Sequence, residues 1–156
     1  FMQNLSTTHR DEIRDQGEII VPAGNGRTSF IDARDIGEVG ARTLSEPGHV
    51  GQAYPLTGDE ALDYDEVAAQ LTLALGRPIL YRAPSLLRFV RHSRKLGRDR
   101  AFILVMAGIY TTTRLGMADT ITDDARRLLG RAPRSLRTFI DDYRAVWEPV
   151  AGAPAA

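Results

Sequence analysis

The sequence contains no cysteine and a single lysine, Lys95, among its 156 residues. Without cysteine the chain cannot form disulfides, thiolate metal sites or a cysteine nucleophile. The 20 basic and 20 acidic side chains cancel, so no net charge would attract nucleic acid or an anionic membrane. The longest apolar run, Ala101 to Tyr110, is shorter than the roughly 20 residues that span a bilayer. We therefore expect a cytoplasmic protein that binds neither nucleic acid nor membrane.

The histidines are also few, and His9, His49 and His92 are scattered along the chain. None shows the close His spacing of a metal site, so no metal site is predicted and each histidine is expected at the surface or in a loop. The length suits one compact domain, which we place at 1–147, with a flexible tail at 148–156. Because residue 1 is Phe rather than Met, we expect a fragment or a processed chain.

The glycine-rich stretch at Gly24-Asn25-Gly26 follows an apolar run, as a phosphate-binding turn would. Such a turn must open a helix, because the N-terminal amides of that helix bind the phosphate. Here Ser29 occupies the position of the third glycine, and the residues from Arg27 to Asp32 are typical of a strand. Asn-Gly favours a tight hairpin turn. We therefore predict a β-hairpin formed by 17–24 and 27–32, and no phosphate site.

Helix signals follow in order along the rest of the chain. Capping boxes are predicted at Asp35 with Glu38 and at Asp63 with Glu66, and Thr122 is predicted to cap a later helix that stops at Gly130. Further helices are predicted at 85–95 and 100–115, and an apolar stripe ends the chain at Leu136, Phe139, Ile140, Tyr143 and Trp147. Residues 52–58 and 79–83 are typical of short strands, the first an edge strand because it contains Pro55.

Three groups of side chains leave alternatives open. The basic stretch from Arg88 to Arg100 is interpreted as a solvated helix face, although it could bind phosphates, a membrane surface or nucleic acid. The apolar segment from Ala101 to Tyr110 is interpreted as core, although it could line a substrate cleft. Asp32, Arg34 and Asp35 could form a charged cluster at the start of a helix, but a helix cap at Asp35 with local pairing of Arg34 is preferred.

Four pieces of sequence carry a family resemblance: FMQN, VPAGNGRTSFIDARDIGEVGARTL, GQAYPLTGDEALDYDEVAAQLTLALGRPILY and LLGRAPRSLRTFIDDY. In this order they resemble the C-terminal half of NmrA-like NAD(P)-binding proteins, which are atypical members of the extended short-chain dehydrogenase/reductase (SDR) superfamily. Asp59 departs from the family, which often has Pro after Thr-Gly.

The resemblance implies an α/β fold, the C-terminal, substrate-side part of a Rossmann-type extended SDR protein whose glycine-rich N-terminal half is absent from this sequence. We expect a β-hairpin, one or two further short strands and about five helices. The implied cofactor is NADP or NAD. By the same resemblance Phe1 and Asn4 are expected to contact the cofactor or the substrate.

The catalytic residues stay unknown from sequence. Reductases of this broader group use a Tyr with a Lys four residues later, but position 91, four residues before Lys95, is Arg. Many NmrA-like proteins also lack this pair, so two functions stay open. One is an NAD(P)H-dependent oxidoreductase acting on a small carbonyl or quinone-like substrate, and the other is a non-catalytic NAD(P)-sensing regulator.

The expected partners are a small-molecule substrate and, as an open alternative, a second copy or another chain pairing through the surface left by the absent half. Because no other glycine-rich turn accompanies the predicted hairpin, we expect no tight dinucleotide binding by this chain alone.

Overall fold

The computed structural model describes residues 1–148, which fold into an α/β arrangement of mostly helical character. Two short strands are β1 (Glu18–Ile20) and β2 (Leu80–Arg82). The α-helices of this part of the chain are α1 (Gln3–Ser6), α2 (Ala33–Ser45), α3 (Tyr64–Leu75), α4 (Leu86–Lys95), α5 (Arg100–Arg114), α6 (Asp124–Leu129) and α7 (Leu136–Tyr143). A π-helix spans Glu12–Gln16 and a 3-10 helix spans Arg144–Trp147.

The predicted tail falls outside the described residues, apart from Glu148, and the domain boundaries stay a prediction. Within residues 1–148 no helix combines the length and the apolar character needed to cross a membrane.

The sheet of the described chain is a parallel pair, in which Ile19 of β1 lies opposite Tyr81 of β2. The prediction of an α/β fold is confirmed, but the predicted β-hairpin is wrong. A turn does form at Gly24 and Asn25, where the Gly26 amide donates to the Ala23 carbonyl at 3.1 Å. The residues after it leave the sheet, because β2 is the partner of β1 and Thr28 forms an isolated antiparallel bridge with Leu62.

The predicted edge strand at 52–58 is also wrong, since no residue of that segment is in a strand. Its Thr57 hydroxyl instead accepts a hydrogen bond from the Thr122 amide at 3.0 Å. The Thr122 hydroxyl donates to the Pro55 carbonyl, so it is not free to cap α6. That helix begins after Asp123, and the predicted Thr122 cap is wrong, although the predicted stop at Gly130 is confirmed.

Helix α2 begins earlier than predicted. Asp32 has extended backbone geometry, and its carboxylate accepts from the Arg34 amide at 2.8 Å, so Asp32 is the N-cap. The predicted cap, Asp35, lies inside the first turn and is fully buried. By contrast, the capping box of Asp63 and Glu66 at the start of α3 is confirmed in both directions. Asp32 and Asp35 are both fully buried, so the extended backbone of Asp32 and its bond from the Arg34 amide, rather than burial, distinguish the cap.

The hydrophobic core lies where α3 packs against β2 and α7. The predicted C-terminal stripe is confirmed, since Leu136, Phe139, Ile140 and Trp147 are fully buried and Tyr143 packs against them. The Trp147 indole donates to the Leu5 carbonyl at 3.0 Å. This bond ties the end of the described chain to its beginning.

Helices α4 and α5 pack against each other and are joined by the short segment 96–99, so they form a helical hairpin. Its C-terminal end meets the glycine-rich turn. A Cβ atom at Gly26 would lie 2.1 Å from the Thr113 carbonyl oxygen, and the side chain of Arg114 packs on Gly24. The Ser29 amide donates to the Ala118 carbonyl at 2.9 Å. Glycine is therefore required in this turn for close packing against α5, and the turn opens no helix that could bind phosphate.

Candidate functional site

Four buried or half-buried side chains form a hydrogen-bonded chain between the body of the protein and the helical hairpin. The Glu12 carboxylate contacts His9 Nδ1 at 3.3 Å through one oxygen and His92 Nε2 at 2.7 Å through the other. On its far side His9 Nε2 lies 2.6 Å from the Tyr110 hydroxyl. We call His9, Glu12, His92 and Tyr110 the buried bridge. The bridge adjoins a small cavity, which His9 and Glu12 help to line.

Local structure explains how the bridge assembles. His9 and Glu12 are three residues apart on a continuous helical turn, in which the Ile13 amide donates to the His9 carbonyl at 3.0 Å, so both side chains lie on one face. His92 comes from α4 and Tyr110 from α5. The bridge therefore connects three separate stretches of the chain.

The charges of the bridge are set by burial and by hydrogen bonds acting in opposite directions. Burial raises the pKa of Glu12, but hydrogen bonds from His9 and His92 outweigh it, so the net pKa lies below the ordinary value of 4.5. Burial raises the pKa of Tyr110 well above 10.0. At neutral pH the bridge thus contains a carboxylate and a protonated phenol.

The two ring nitrogens of His9 have different partners in the bridge. A neutral His9 donates from Nδ1 to Glu12 and accepts from the Tyr110 hydroxyl at Nε2. Only His92 connects the bridge to solvent, since its side chain is 29% exposed while those of His9 and Glu12 are 5% and 8% exposed. Chemically, the arrangement is a buried carboxylate that can stabilise a positive imidazole near the surface.

A small cavity lies beside the bridge, between the hairpin and the body. Its volume is about 20 Å³, room for about one water molecule. The hairpin contributes most of its apolar wall, and the body contributes its polar end; the lining residues are Thr8, His9, Glu12, Ile20, Phe89, Ser93, Leu96, Arg98, Phe102 and Met106. An open groove continues from it past Thr8, Glu12, Leu96 and Arg98. The cavity therefore has aromatic walls, a charged end and a route to solvent.

Arg98 stands where the cavity meets the groove. Its guanidinium donates to the Thr8 carbonyl at 2.7 Å and lies 5.3 Å from the centre of the Phe102 ring. Within residues 1–148 no carboxylate lies at ion-pair distance from it. A guanidinium carries five N–H donors, so Arg98 keeps donors for a ligand that carries an oxygen acceptor.

The residues expected from the family resemblance lie elsewhere. Phe1 is 65% exposed and Asn4 is half-buried in α1, and the Asn4 amide donates to the Phe1 carbonyl at 3.1 Å. Neither residue lines the cavity, and their contact with cofactor or substrate stays a prediction.

Sequence reasoning missed the buried bridge because it treated the histidines separately. His9 does lie in a turn, but it is only 4% exposed, so the expectation of a surface position is wrong for it. His49 lies in a loop, where its Nδ1 contacts the Tyr54 hydroxyl at 2.8 Å. The one local signal was the spacing of His9 and Glu12, whereas Tyr110 lies 101 positions after His9.

The apolar segment at 101–110 contributes both to the core and to the lining of the cavity. Ile103, Met106, Ala107 and Tyr110 are buried on the inner face of α5, as predicted for core, and Met106 together with Phe102 also lines the cavity. The basic stretch leaves Arg88, Arg91 and Lys95 exposed around an open cleft beside His92, in agreement with a solvated helix face.

In the charged cluster at the start of α2, Asp32, Arg34 and Asp35 all form ion pairs, so we interpret the cluster as structural. Asp32 is buried against Arg34 and accepts a hydrogen bond from the Gln3 side-chain amide at 2.7 Å. Burial raises the pKa of Asp32, but the hydrogen bonds from Arg34 and Gln3 outweigh burial, so the net pKa is lowered. Asp35 pairs with Arg131 and Arg134, which tie α2 to the start of α7. Arg34 does pair locally, as predicted. No member of the cluster is left with a free group for chemistry.

The fold and the cavity together define an α/β lobe that encloses a polar-ended pocket beneath a helical hairpin. The chain is 36% identical over 147 residues to an NAD(P)H azoreductase of Xenophilus azovorans, covering 94% of this chain and 51% of that protein. It is 32% identical over 148 residues to an uncharacterized oxidoreductase of Bacillus subtilis, covering 94% of this chain and 52% of the relative. No family model matches the chain.

Solved structures share the fold. An NADPH-dependent quinone oxidoreductase of Escherichia coli superposes with a TM-score of 0.84 at 23% identity, over 91% of this chain and 51% of that structure. The chain thus spans about half the length of the proteins it matches. These matches fall on the C-terminal half of oxidoreductases, in agreement with the resemblance of the sequence motifs to the C-terminal half of NmrA-like proteins.

Proposed function

We propose that this chain is the substrate-side half of an NAD(P)H-dependent oxidoreductase that reduces a small carbonyl or quinone-like substrate. The observation that carries the proposal is the 36% identity to an NAD(P)H azoreductase along 94% of the chain. The lining of the cavity supports it, because apolar walls with a few convergent polar groups are typical of small-molecule sites, but in this structure the cavity has room for only about one water molecule.

The cofactor of the proposed protein is NADP or NAD, which supplies a hydride when bound. The described residues do not fit its pyrophosphate: the Gly24–Gly26 turn packs against Thr113 and opens no helix. We therefore assign the main cofactor contacts to a part of the protein outside this chain. Phe1 and Asn4 are proposed to contact the cofactor or the substrate from this half.

Steady-state oxidation of NADPH and NADH by the longer protein tests the proposal. The panel of acceptors should include quinones, azo compounds and aldehydes, with loss of absorbance of the reduced nicotinamide as the readout. We expect turnover with at least one acceptor class. Dinucleotide binding without turnover of any acceptor would contradict the enzyme proposal.

That second outcome would favour a regulatory protein that senses NAD(P). The sole lysine, Lys95, lies on the exposed face of α4 with Arg91, not Tyr, one turn before it. The chain therefore lacks a Tyr and Lys pair of the reductase type, which is compatible with either function. Comparing partner binding with and without NADPH would distinguish a sensor from an enzyme.

Pairing with a second copy or with another part of the protein is proposed through exposed apolar side chains. On α5 these are Leu104, Val105 and Ile109, which are 75%, 58% and 49% exposed. Apolar side chains that recur on one helix face commonly mark an interface. Light scattering after size-exclusion chromatography tests this by measuring the molar mass of the longer protein. A strictly monomeric mass would exclude pairing with a second copy and leave only pairing within one polypeptide.

A further inference from the structure

The helical hairpin is fixed to the body very differently at its two ends. Its root, where α5 ends, is held by backbone contacts: Thr113 lies against Gly26, and the Ser29 amide bonds to the Ala118 carbonyl at 2.9 Å. The glycine turn is held in place from the other side, since the Tyr81 hydroxyl donates to the Gly24 carbonyl at 3.0 Å. This end cannot move without displacing packed main chain.

The tip, from His92 to Phe102, is attached mainly by side chains. His92 reaches Glu12 at 2.7 Å, and Arg98 reaches the Thr8 carbonyl at 2.7 Å. Each bond involves a charged group on a long or half-exposed side chain, and neither is part of a backbone ladder. The cavity lies directly beneath this end, with Ser93, Leu96 and Phe102 as its cover.

We propose that the tip of the α4–α5 hairpin is a gate latched by the Glu12–His92 and Thr8–Arg98 bonds, and that it opens to admit a flat, unsaturated ring bearing a carbonyl oxygen. The ligand class deepens the function proposed above and rests on it, whereas the gate does not. The cavity opens onto the groove, but at about 20 Å³ it holds only about one water molecule. Any ring must therefore displace the cover.

The side chains that line the cavity determine which ligand chemistry fits it. Phe89, Phe102 and Met106 provide aromatic and thioether surfaces that pack on a planar ring. At the polar end Arg98 has unused donors for a carbonyl oxygen. A negatively charged ring substituent near Glu12 would be repelled by the carboxylate, so a neutral quinone fits better than a ring carboxylate at that end.

The absence of cysteine makes the gate measurable in this chain without background labelling. Ser93→Cys places a thiol on the inner face of α4, where Ser93 is 5% exposed and lines the cavity. Its rate of reaction with a thiol reagent reports opening of the tip. Thr113→Cys is the matched control, because Thr113 is 3% exposed at the root of the same hairpin.

We expect the Ser93→Cys thiol to react slowly, and to react about tenfold faster or more when Glu12→Gln or His92→Gln breaks the latch. The Thr113→Cys thiol should keep its rate in both backgrounds, since general unfolding would accelerate both thiols alike. His92 is half-exposed, so its variant keeps the test usable if Glu12→Gln fails to fold. Fast reaction with the latch intact, or equal acceleration of the two thiols, would overturn the gate.

Tetramethyl-1,4-benzoquinone tests the ligand, because its ring carbons are all substituted and it does not readily alkylate the thiol. We expect it to slow labelling of Ser93→Cys in the latch-broken chain and to leave Thr113→Cys unchanged. Unchanged labelling of both would overturn the pocket as a quinone site while leaving the gate supported. Neither readout needs cofactor or turnover, so their failure is distinct from failure of the proposed oxidoreductase.

Discussion

Glu12 is a buried carboxylate that two histidines keep charged, and its pH dependence follows from that arrangement. Its pKa lies below 4.5 in the folded chain, so its contribution to stability is present above pH 4.5. That contribution is lost as the pH falls through the folded pKa. Glu12→Gln should therefore lower the free energy of unfolding by about 2 kcal/mol near pH 7, because hydrogen bonds to a charged group are lost.

Thermal unfolding followed by circular dichroism between pH 3 and 7 checks this prediction. The difference between wild type and Glu12→Gln should shrink below pH 4.5, the ordinary pKa of the carboxyl. His49→Gln serves as a control because His49 contacts a tyrosine hydroxyl and no carboxylate. A difference that stays constant across the range would contradict the assigned charge of Glu12.

Tyr110 offers a second test at a single residue. Tyr110→Phe removes the hydroxyl that lies 2.6 Å from His9 Nε2, and it leaves that nitrogen buried without its partner. We expect a loss of about 1–3 kcal/mol in the free energy of unfolding, measured by urea denaturation. Tyr54→Phe removes the same atom from a half-buried His49 pair and should cost less. An equal loss in the free energy of unfolding for Tyr110→Phe and Tyr54→Phe would contradict the claim that burial strengthens the Tyr110 contact with His9.

At the scale of elements, the Gly24–Gly26 turn is the root of the helical hairpin. Gly26→Ala would place Cβ 2.1 Å from the Thr113 carbonyl oxygen, so main chain must shift and the root should loosen. Gly40→Ala in α2 meets no atom within 4 Å and should instead stabilise the helix by up to about 1 kcal/mol. Denaturant midpoints of the two variants should move in opposite directions. A shift of the same sign in both would contradict the packing role of Gly26.

Elements that depend on local chemistry were predictable from sequence. Two such predictions are confirmed: the capping box of Asp63 and Glu66, and the end of α6 at Gly130. In both cases the residues that determine the helix end lie within a few positions of it. The hairpin prediction was wrong because Asn25-Gly26 specifies only a turn. The partner of β1 is β2, whose Tyr81 lies 62 positions after Ile19 in the register, and no local rule contains that pairing.

The candidate site was the least predictable feature for the same reason. His92 and Tyr110 lie on the consecutive helices α4 and α5, far along the chain from His9 and Glu12, and only the fold brings the four residues together. The family resemblance pointed instead to Phe1 and Asn4, which lie outside the cavity. Sequence motifs therefore located the family and most helices, whereas the bridge depends on tertiary packing.

At the scale of the whole molecule, we propose that cofactor and substrate are bound by two different halves of the protein. This chain supplies a pocket, its buried bridge and its gate, and it matches about half the length of the NAD(P)H-dependent relatives. The described residues contain no helix opened by a glycine-rich turn. We propose that the substrate side lies in this chain and that the dinucleotide site lies in the other half.

Native mass spectrometry with NADPH tests that claim most directly. The 156-residue chain and the longer protein proposed to contain it should be measured side by side under the same conditions. The account predicts one bound NADPH on the longer protein and none on the 156-residue chain. A stable NADPH adduct on the short chain would contradict the account, and it would make the Gly24–Gly26 turn the first place to search for the phosphate contacts.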